Sequence, residues 1–272
     1  MYETQYHRPT SLSEAAGLFS STGDAAFISG GHTLLPAMKA RLAAPGNLID
    51  LRHIPELKGI QVSGDAVAIG AAATHSEVSR SAEVQRAIPT LAALAGSIGD
   101  SQVRHLGTIG GSVANNDPAA DYPAAVLALD GVVQTDRREI RASEYFSGLY
   151  TTALEEGEIV TRVMFRIPET SGYAKFRNPA SRYAMAGVFV ARHRDGTVRV
   201  AVTGAGNDGV FRWAEAEQAL THSFAAEALH GLTVPVGNMM GDIHGSPEYR
   251  ANLVAVMARR AVQNPGTALA MI

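Results

Sequence analysis

The residues fit for chemistry concentrate between Gly99 and Pro123, in the run GDSQVRHLGTIGGSVANNDPAADYP. The run offers hydroxyls at Thr108 and Ser112, carboxylates at Asp117 and Asp121, and glycines at 107, 110 and 111. It holds no residue suited to nucleophilic attack. Such glycines allow positive φ and leave no Cβ in the way of a ligand. Successive backbone N–H groups in a glycine loop can converge on an anion. A tight turn between packed elements is the competing reading. Ser29-Gly30-Gly31-His32-Thr33 is a second glycine loop, far upstream. Two such loops suggest a ligand with two phosphates, held from two sides. Asp117 and Asp121 are spaced i, i+4, as an acid/base pair on one helix face would be. Asp117 before Pro118 also fits a helix N-cap with Pro at the first position, and its carboxylate can accept from sugar hydroxyls.

Other chemistries are excluded or unsupported. The 272 residues include no Cys, so disulfides, cysteine nucleophiles and thiolate-held iron–sulfur clusters are excluded from this chain. No His-x-x-x-His pair points to zinc. There is no Gly-x-Ser-x-Gly elbow and no Gly-x-x-x-x-Gly-Lys-Ser/Thr loop. The net charge of −3 offers no electrostatic grip on nucleic acid or anionic lipid. No run of apolar residues is long enough to span a membrane. Met1 to Gln5 lack the pattern of a signal peptide, and a cytoplasmic location is expected. Gly204-Ala205-Gly206-Asn207-Asp208-Gly209 matches the dinucleotide fingerprint literally. The strand before it reads as the second arm of a hairpin, and the region about 20 residues on reads as helix where the fingerprint needs an acidic strand end. A strand-to-helix turn is expected there.

The elements that position these residues follow from local signals. Thr10 or Ser11 caps a helix with Leu12, Ala15, Ala16 and Phe19 on one face. Ala25–Ile28 reads as a strand running into the first glycine loop and then a helix over 34–42. That order presents free helix N–H groups to a phosphate. With a strand at Asn47–Leu51 it makes a small βαβ unit. Ile60–Val62 and Ala66–Gly70 flank Ser63-Gly64-Asp65 as a hairpin. Thr74 and Glu77 form a capping box. Helices are expected over about 88–98 and 124–129, and strands at 132–135, 138–140 and 159–167. After Pro168, strands at 173–176, 186–192 and 198–202 are followed by helices at 213–220, 224–229 and 247–262.

These motifs resemble the FAD-binding medium subunit of the molybdenum hydroxylases, the group of carbon monoxide dehydrogenase and xanthine dehydrogenase. The family's first loop is typically Ala-Gly-Gly-His/Gln-Ser-Leu-Leu-Pro, here Ser29 to Pro36 with Ser29 for Ala and Thr33 for Ser. Its second is Gly-Thr-Ile-Gly-Gly followed by Asp-Pro-x-x-Asp-x-Pro, here Gly107 to Gly111 and Asp117 to Pro123. The likeness runs through Arg177 to Ala184 and Asp242 to Ser246 to the last helix.

The resemblance implies an α+β fold. A two-part FAD-binding domain of the vanillyl-alcohol-oxidase-like type would span 1–168 (subdomains about 1–55 and 56–168). A C-terminal antiparallel sheet with helices would span 169–272. It implies that Ser29, Gly30, Gly31, His32 and Thr33, with Thr108, Ile109, Gly110, Gly111 and Ser112, cradle the FAD pyrophosphate. Asp117 and Asp121 would lie near the ribose and adenine, Asp130 at a flavin-contacting acidic position, and Arg177 and Tyr183 beside the ring. The chain would bind no metal and hold no catalytic residue of its own. It would take electrons from the [2Fe–2S] clusters of a small subunit and pass them to an external acceptor such as NAD, a quinone or oxygen. A molybdopterin-binding large subunit would oxidise the substrate, in a dimer of heterotrimers. The lack of Cys argues against the benzoyl-CoA-reductase branch. Two alternatives stand beside this: a flavin-free scaffold of the same fold, and a self-contained flavin oxidoreductase with Tyr183 or His105 as proton acceptor.

Overall fold

The computed structural model describes residues 2–271. The chain opens with β1 (Gln5–His7), α1 (Leu12–Ser21), β2 (Ala25–Ile28), α2 (Leu34–Lys39) and β3 (Asn47–Asp50). Ser11 caps α1 by accepting from the Glu14 N–H. The three strands form a parallel sheet in the order β1-β3-β2, so the expected βαβ unit is present. β1 is an unexpected third strand, pairing Tyr6 with Leu48. Ile28, Met38 and Leu48 form a small core of their own beneath α2.

The middle of the chain runs β4 (Ile60–Ser63), β5 (Ala66–Gly70), α3 (His75–Arg80), α4 (Ala82–Ala87), α5 (Pro89–Gly96), α6 (Ser101–Leu106), α7 (Ile109–Asn115) and α8 (Tyr122–Ala128). It continues with β6 (Val132–Thr135), β7 (Glu139–Arg141), α9 (Ala142–Tyr145), β8 (Phe146–Gly148), β9 (Thr151–Thr152) and β10 (Val160–Arg166). An antiparallel sheet, β4-β5-β10-β6-β7, carries the helices. The Thr74–Glu77 capping box opens α3 as expected. Every residue of α8 is buried. A helix apolar all round must be covered on all sides, and α8 packs between the middle of the molecule and the last sheet.

That last sheet is built from β11 (Thr170–Arg177), β12 (Ala184–Arg192), β13 (Val198–Thr203), β14 (Phe211–Arg212) and β15 (Ala268–Met271). α10 (Ala214–His222) and α11 (Pro247–Gln263) accompany it, α11 against β11 and β12. The order is β14-β13-β12-β11-β15. It is the expected antiparallel sheet, with β15 added at its edge parallel to β11. The expected helix at 224–229 is a short 3-10 turn, Ala226–Leu229. The segment 204–209 is a turn from β13 into antiparallel β14, ahead of α10, and not the start of a nucleotide-binding helix.

One buried carboxylate ties the rim of the middle sheet together. Glu158 accepts from Thr135 Oγ1 at 2.7 Å, from Arg138 Nε at 3.0 Å and from the Glu155 N–H at 2.7 Å. The Arg138 guanidinium, with these donors, draws its pKa from 4.5 down to about 2. A depressed carboxylate stabilises the fold above its ordinary pKa, and that contribution is lost as pH falls toward about 2. Glu158→Gln is therefore expected to cost about 1–2 kcal/mol at pH 7 and to melt less differently from wild type at pH 3. Urea melts at the two pH values check this; an equal gap at both contradicts it.

Candidate functional site

A cleft of about 740 Å³ opens between the first glycine loop, the middle sheet and the loop joining β11 to β12. Its walls come from the Ser29–Thr33 loop, the end of β5, the start of α7, the Asp117–Asp121 segment and the loop ending at Tyr183.

The first glycine loop bends directly off β2. Gly31 sits at φ +72, a left-handed conformation that glycine adopts without penalty. The Gly31 carbonyl accepts from Leu35 N–H and starts α2. Among the described residues, the N–H groups of Gly30, Gly31, His32 and Thr33 find no protein acceptor. Consecutive free N–H groups beside a left-handed glycine make an anion-binding concavity.

The second glycine segment is built differently, which corrects its reading as a loop. Thr108 is the N-cap of α7, accepting from Gly111 N–H at 3.2 Å. None of Gly107, Gly110 and Gly111 has positive φ. Two N–H groups expected to meet a phosphate are already spent: Ile109 donates to the Ala73 carbonyl at 3.0 Å and Gly110 to Ala71 at 2.9 Å. Ile109 is also fully buried and does not line the cleft. These glycines serve close approach. A Cβ on Gly110 would lie 2.5 Å from the Ala71 Cβ and 2.7 Å from its carbonyl oxygen. A Cβ on Gly30 would lie 2.4 Å from the Leu106 carbonyl oxygen. The two segments thus touch, and Thr108 Oγ1 donates to Ser29 Oγ at 3.1 Å. Gly110→Ala is expected to destabilise the chain by about 1–3 kcal/mol through overpacking, with or without cofactor. A thermal melt of the flavin-free chain checks it; an unchanged melting temperature contradicts it.

The two aspartates have separate roles, and neither forms an acid/base pair. Asp117 caps its own turn, accepting from the Ala119 N–H at 2.9 Å, and it does not cap α8. Asp121 lines the cleft but is 6% exposed. Its oxygens accept from Lys175 Nζ at 2.9 and 2.8 Å and from the Tyr173 hydroxyl. Burial and the adjacent carboxylate raise the Tyr173 pKa well above its ordinary value, so the phenol stays a donor. No sequence motif marks Lys175. The available signal was a cation in the middle of the apolar stretch Tyr173–Phe176, which demands a buried anion as partner. β13 braces the same segment, as Thr203 Oγ1 donates to the Pro118 and Ala120 carbonyls.

Two predicted site residues lie elsewhere. Asp130 does not line the cleft; it accepts from Arg199 Nε at 2.9 Å, with Arg166 at 3.6 Å and His193 at 3.8 Å. That cluster joins the end of α8 to β10 and β13, a structural use of the charge. Arg177 does not face the cleft either. Its guanidinium donates to the Ser97 carbonyl at 3.3 Å. Tyr183 lies at the rim of the cleft, 47% exposed. Its loop is closed on itself by the Asn178 N–H to the Tyr183 carbonyl, with Arg182 at φ 64. His105 is outside this cleft and hydrogen-bonded to the Ser101 carbonyl oxygen, which removes one proton acceptor a self-contained oxidoreductase would use.

The geometry suits an elongated ligand with an anionic middle: unspent N–H groups at one side, a carboxylate and an aromatic at the other and, among the described residues, no lining serine or threonine hydroxyl hydrogen-bonded to a base. FAD fits that description, and its volume class matches cofactor clefts. Residues 2–170 match the family described as FAD binding domain in molybdopterin dehydrogenase. The chain belongs to this family. It is 37% identical to the nicotine 6-hydroxylase medium subunit of Paenarthrobacter nicotinovorans, over 96% of this chain and 97% of that one. The carbon monoxide dehydrogenase medium chain of Hydrogenophaga pseudoflava is 34% identical over 95% of each. The structure of reconstituted CO dehydrogenase from Oligotropha carboxidovorans superposes with a TM-score of 0.86, at 32% identity, covering 97% of this chain and 98% of that one. The α+β architecture is that of these medium chains, and the cofactor of this FAD-binding family member is FAD. Among the described residues, no helix is long and apolar enough to cross a membrane.

Proposed function

We propose that this chain is the FAD-carrying electron-transfer subunit of a molybdenum hydroxylase complex. Electrons arrive from [2Fe–2S] clusters of a small partner subunit and leave to an external acceptor: NAD, a quinone or oxygen. The observation that carries the reading is a cleft with anion-binding N–H groups and buried charge, in a chain similar throughout to medium subunits. The chain contains no Cys, so the clusters belong to a partner.

FAD supplies the reversible uptake of electrons; the protein supplies binding, orientation and electrostatics. Ser29 to Thr33 hold the pyrophosphate through backbone N–H groups, with the Ser112 hydroxyl at its other flank, while the Thr108 hydroxyl ties the first loop to α7. Asp117 Oδ2, which the Tyr150 hydroxyl approaches at 3.5 Å, also takes a sugar hydroxyl. Asp121, fixed by Lys175 and Tyr173, places a negative charge on the cleft wall. Tyr183 screens the cleft mouth from solvent. Residues 1–168 act as the cofactor domain, and 169–272 as a clamp that braces Pro118 to Asp121. The molybdopterin-binding large subunit and the small subunit complete a dimer of heterotrimers in the cytoplasm.

Metal analysis of the complex purified from its own cells through a tag on this chain tests the reading. Molybdenum and iron in fixed proportion to FAD are expected. A flavoprotein free of both metals, yet active with an organic donor, would favour the self-contained alternative.

A further inference from the structure

His75 opens α3 and lies against Gly107, between the two glycine segments. It lines the cleft and is 5% exposed. Its own N–H donates to the Gly107 carbonyl at 2.9 Å, so the residue is pinned by its backbone. The imidazole itself is unpaired. Nδ1 is sealed from solvent with no partner, and no protein group among the described residues bonds Nε2. A Cβ on Gly107 would lie 2.6 Å from Nε2, so glycine there makes the room the ring occupies. The ring is neutral: burial, with His32 and Arg104 nearby, pushes its pKa down to about 4.

A neutral imidazole carries a single N–H. A buried donor left unpaired costs more than a bare acceptor lone pair, because orphaned N–H groups are the rarer defect. The proton therefore sits on Nε2, the polar edge that meets the cleft. Its neighbours there are His32 of the first glycine loop and Gly107 of the second.

We propose that His75 is a cofactor-binding residue, donating from Nε2 to an acceptor oxygen of bound FAD. This rests on FAD occupying the cleft. It gives the ring's N–H a partner that the protein alone does not supply, while Nδ1 keeps its sealed lone pair. A donor to an anionic oxygen is worth more than an ordinary hydrogen bond, enough for about tenfold in affinity or more.

The test is FAD titration of the flavin-free wild type, His75→Leu and His75→Gln, with thermal melts of each before FAD is added. His75→Leu is expected to bind FAD about tenfold more weakly or worse, while melting no lower than wild type, since an unpaired polar group has been removed. His75→Gln keeps a donor of similar reach and is expected to recover most of the affinity. Leu-variant affinity within about threefold of wild type overturns the proposal. So does a lowered melting temperature with both variants equally weak, which marks a packing role. Should the Leu variant fail to fold, His75→Met gives the same readout. A wild type that binds no FAD overturns the cofactor itself, and is thereby told apart from failure of His75 alone.

Discussion

Gly31→Val is expected to abolish FAD binding and leave the chain folded. Gly31 holds φ +72, where an L side chain costs about 1–2 kcal/mol. The new Cβ would meet Leu35 Cδ1 at 2.9 Å, the end of a side chain that can turn away. The fold therefore loses little of a total near 5–15 kcal/mol. The loop itself relieves its strain by leaving the left-handed conformation. That rotates the N–H groups of Gly31 and His32 out of the concavity, and the anion site goes with them. Equilibrium dialysis against FAD, beside a thermal melt, checks both halves. FAD affinity within about threefold of wild type would show that this loop does not hold the cofactor. The contrast with Gly110→Ala is informative, because there the stability goes first.

Lys175→Met carries the largest expected effect on stability. Lys175 and Asp121 are both buried, and their ion pair is bound at 2.8 Å. Removing the cation leaves a carboxylate in a low-dielectric wall with only the Tyr173 hydroxyl for company. Breaking a buried pair on one side costs about 3–5 kcal/mol. Replacing both partners removes the stranded charge, so Lys175→Met with Asp121→Leu is expected to regain most of that loss. Urea melts of the two single variants and the double variant form a thermodynamic cycle that isolates the coupling. A loss below about 1 kcal/mol in Lys175→Met would contradict the buried-pair account. The same variant loosens the segment that β13 and Lys175 jointly hold against the cleft, so FAD affinity falls with it.

The parts of this fold that announce themselves locally are legible in the sequence. Ser11 and Thr74 with Glu77 mark helix starts because a cap is written within four residues. The hairpin at Ser63-Gly64-Asp65 is equally local. β1 and β15 are short edge strands whose partners lie far along the chain, Asn47 for Gln5 and Tyr173 for Ala268, so no local pattern reveals them. The glycines of 107–111 show why motif reading stops short of mechanism. Glycine serves either positive φ or close approach, and only the packing of Ala71 and His75 against these positions decides between them. Gly31 meets the first need, Gly110 the second. The resemblance puts Asp130 and Arg177 at the flavin, yet Asp130 pairs with Arg199 and Arg177 bonds the Ser97 carbonyl, with its Nε buried and unpaired. Lys175 and His75 carry no motif at all. They become visible through the cost of burying a charge or an unpaired nitrogen, which can be reckoned only once burial is known.

The most direct test of the central claim is titration of the purified, flavin-free chain with FAD, followed by absorption and by release of the bound flavin on denaturation. The account predicts saturation at a single FAD per chain and recovery of intact FAD. No uptake at any FAD concentration by a chain that melts cooperatively would contradict it.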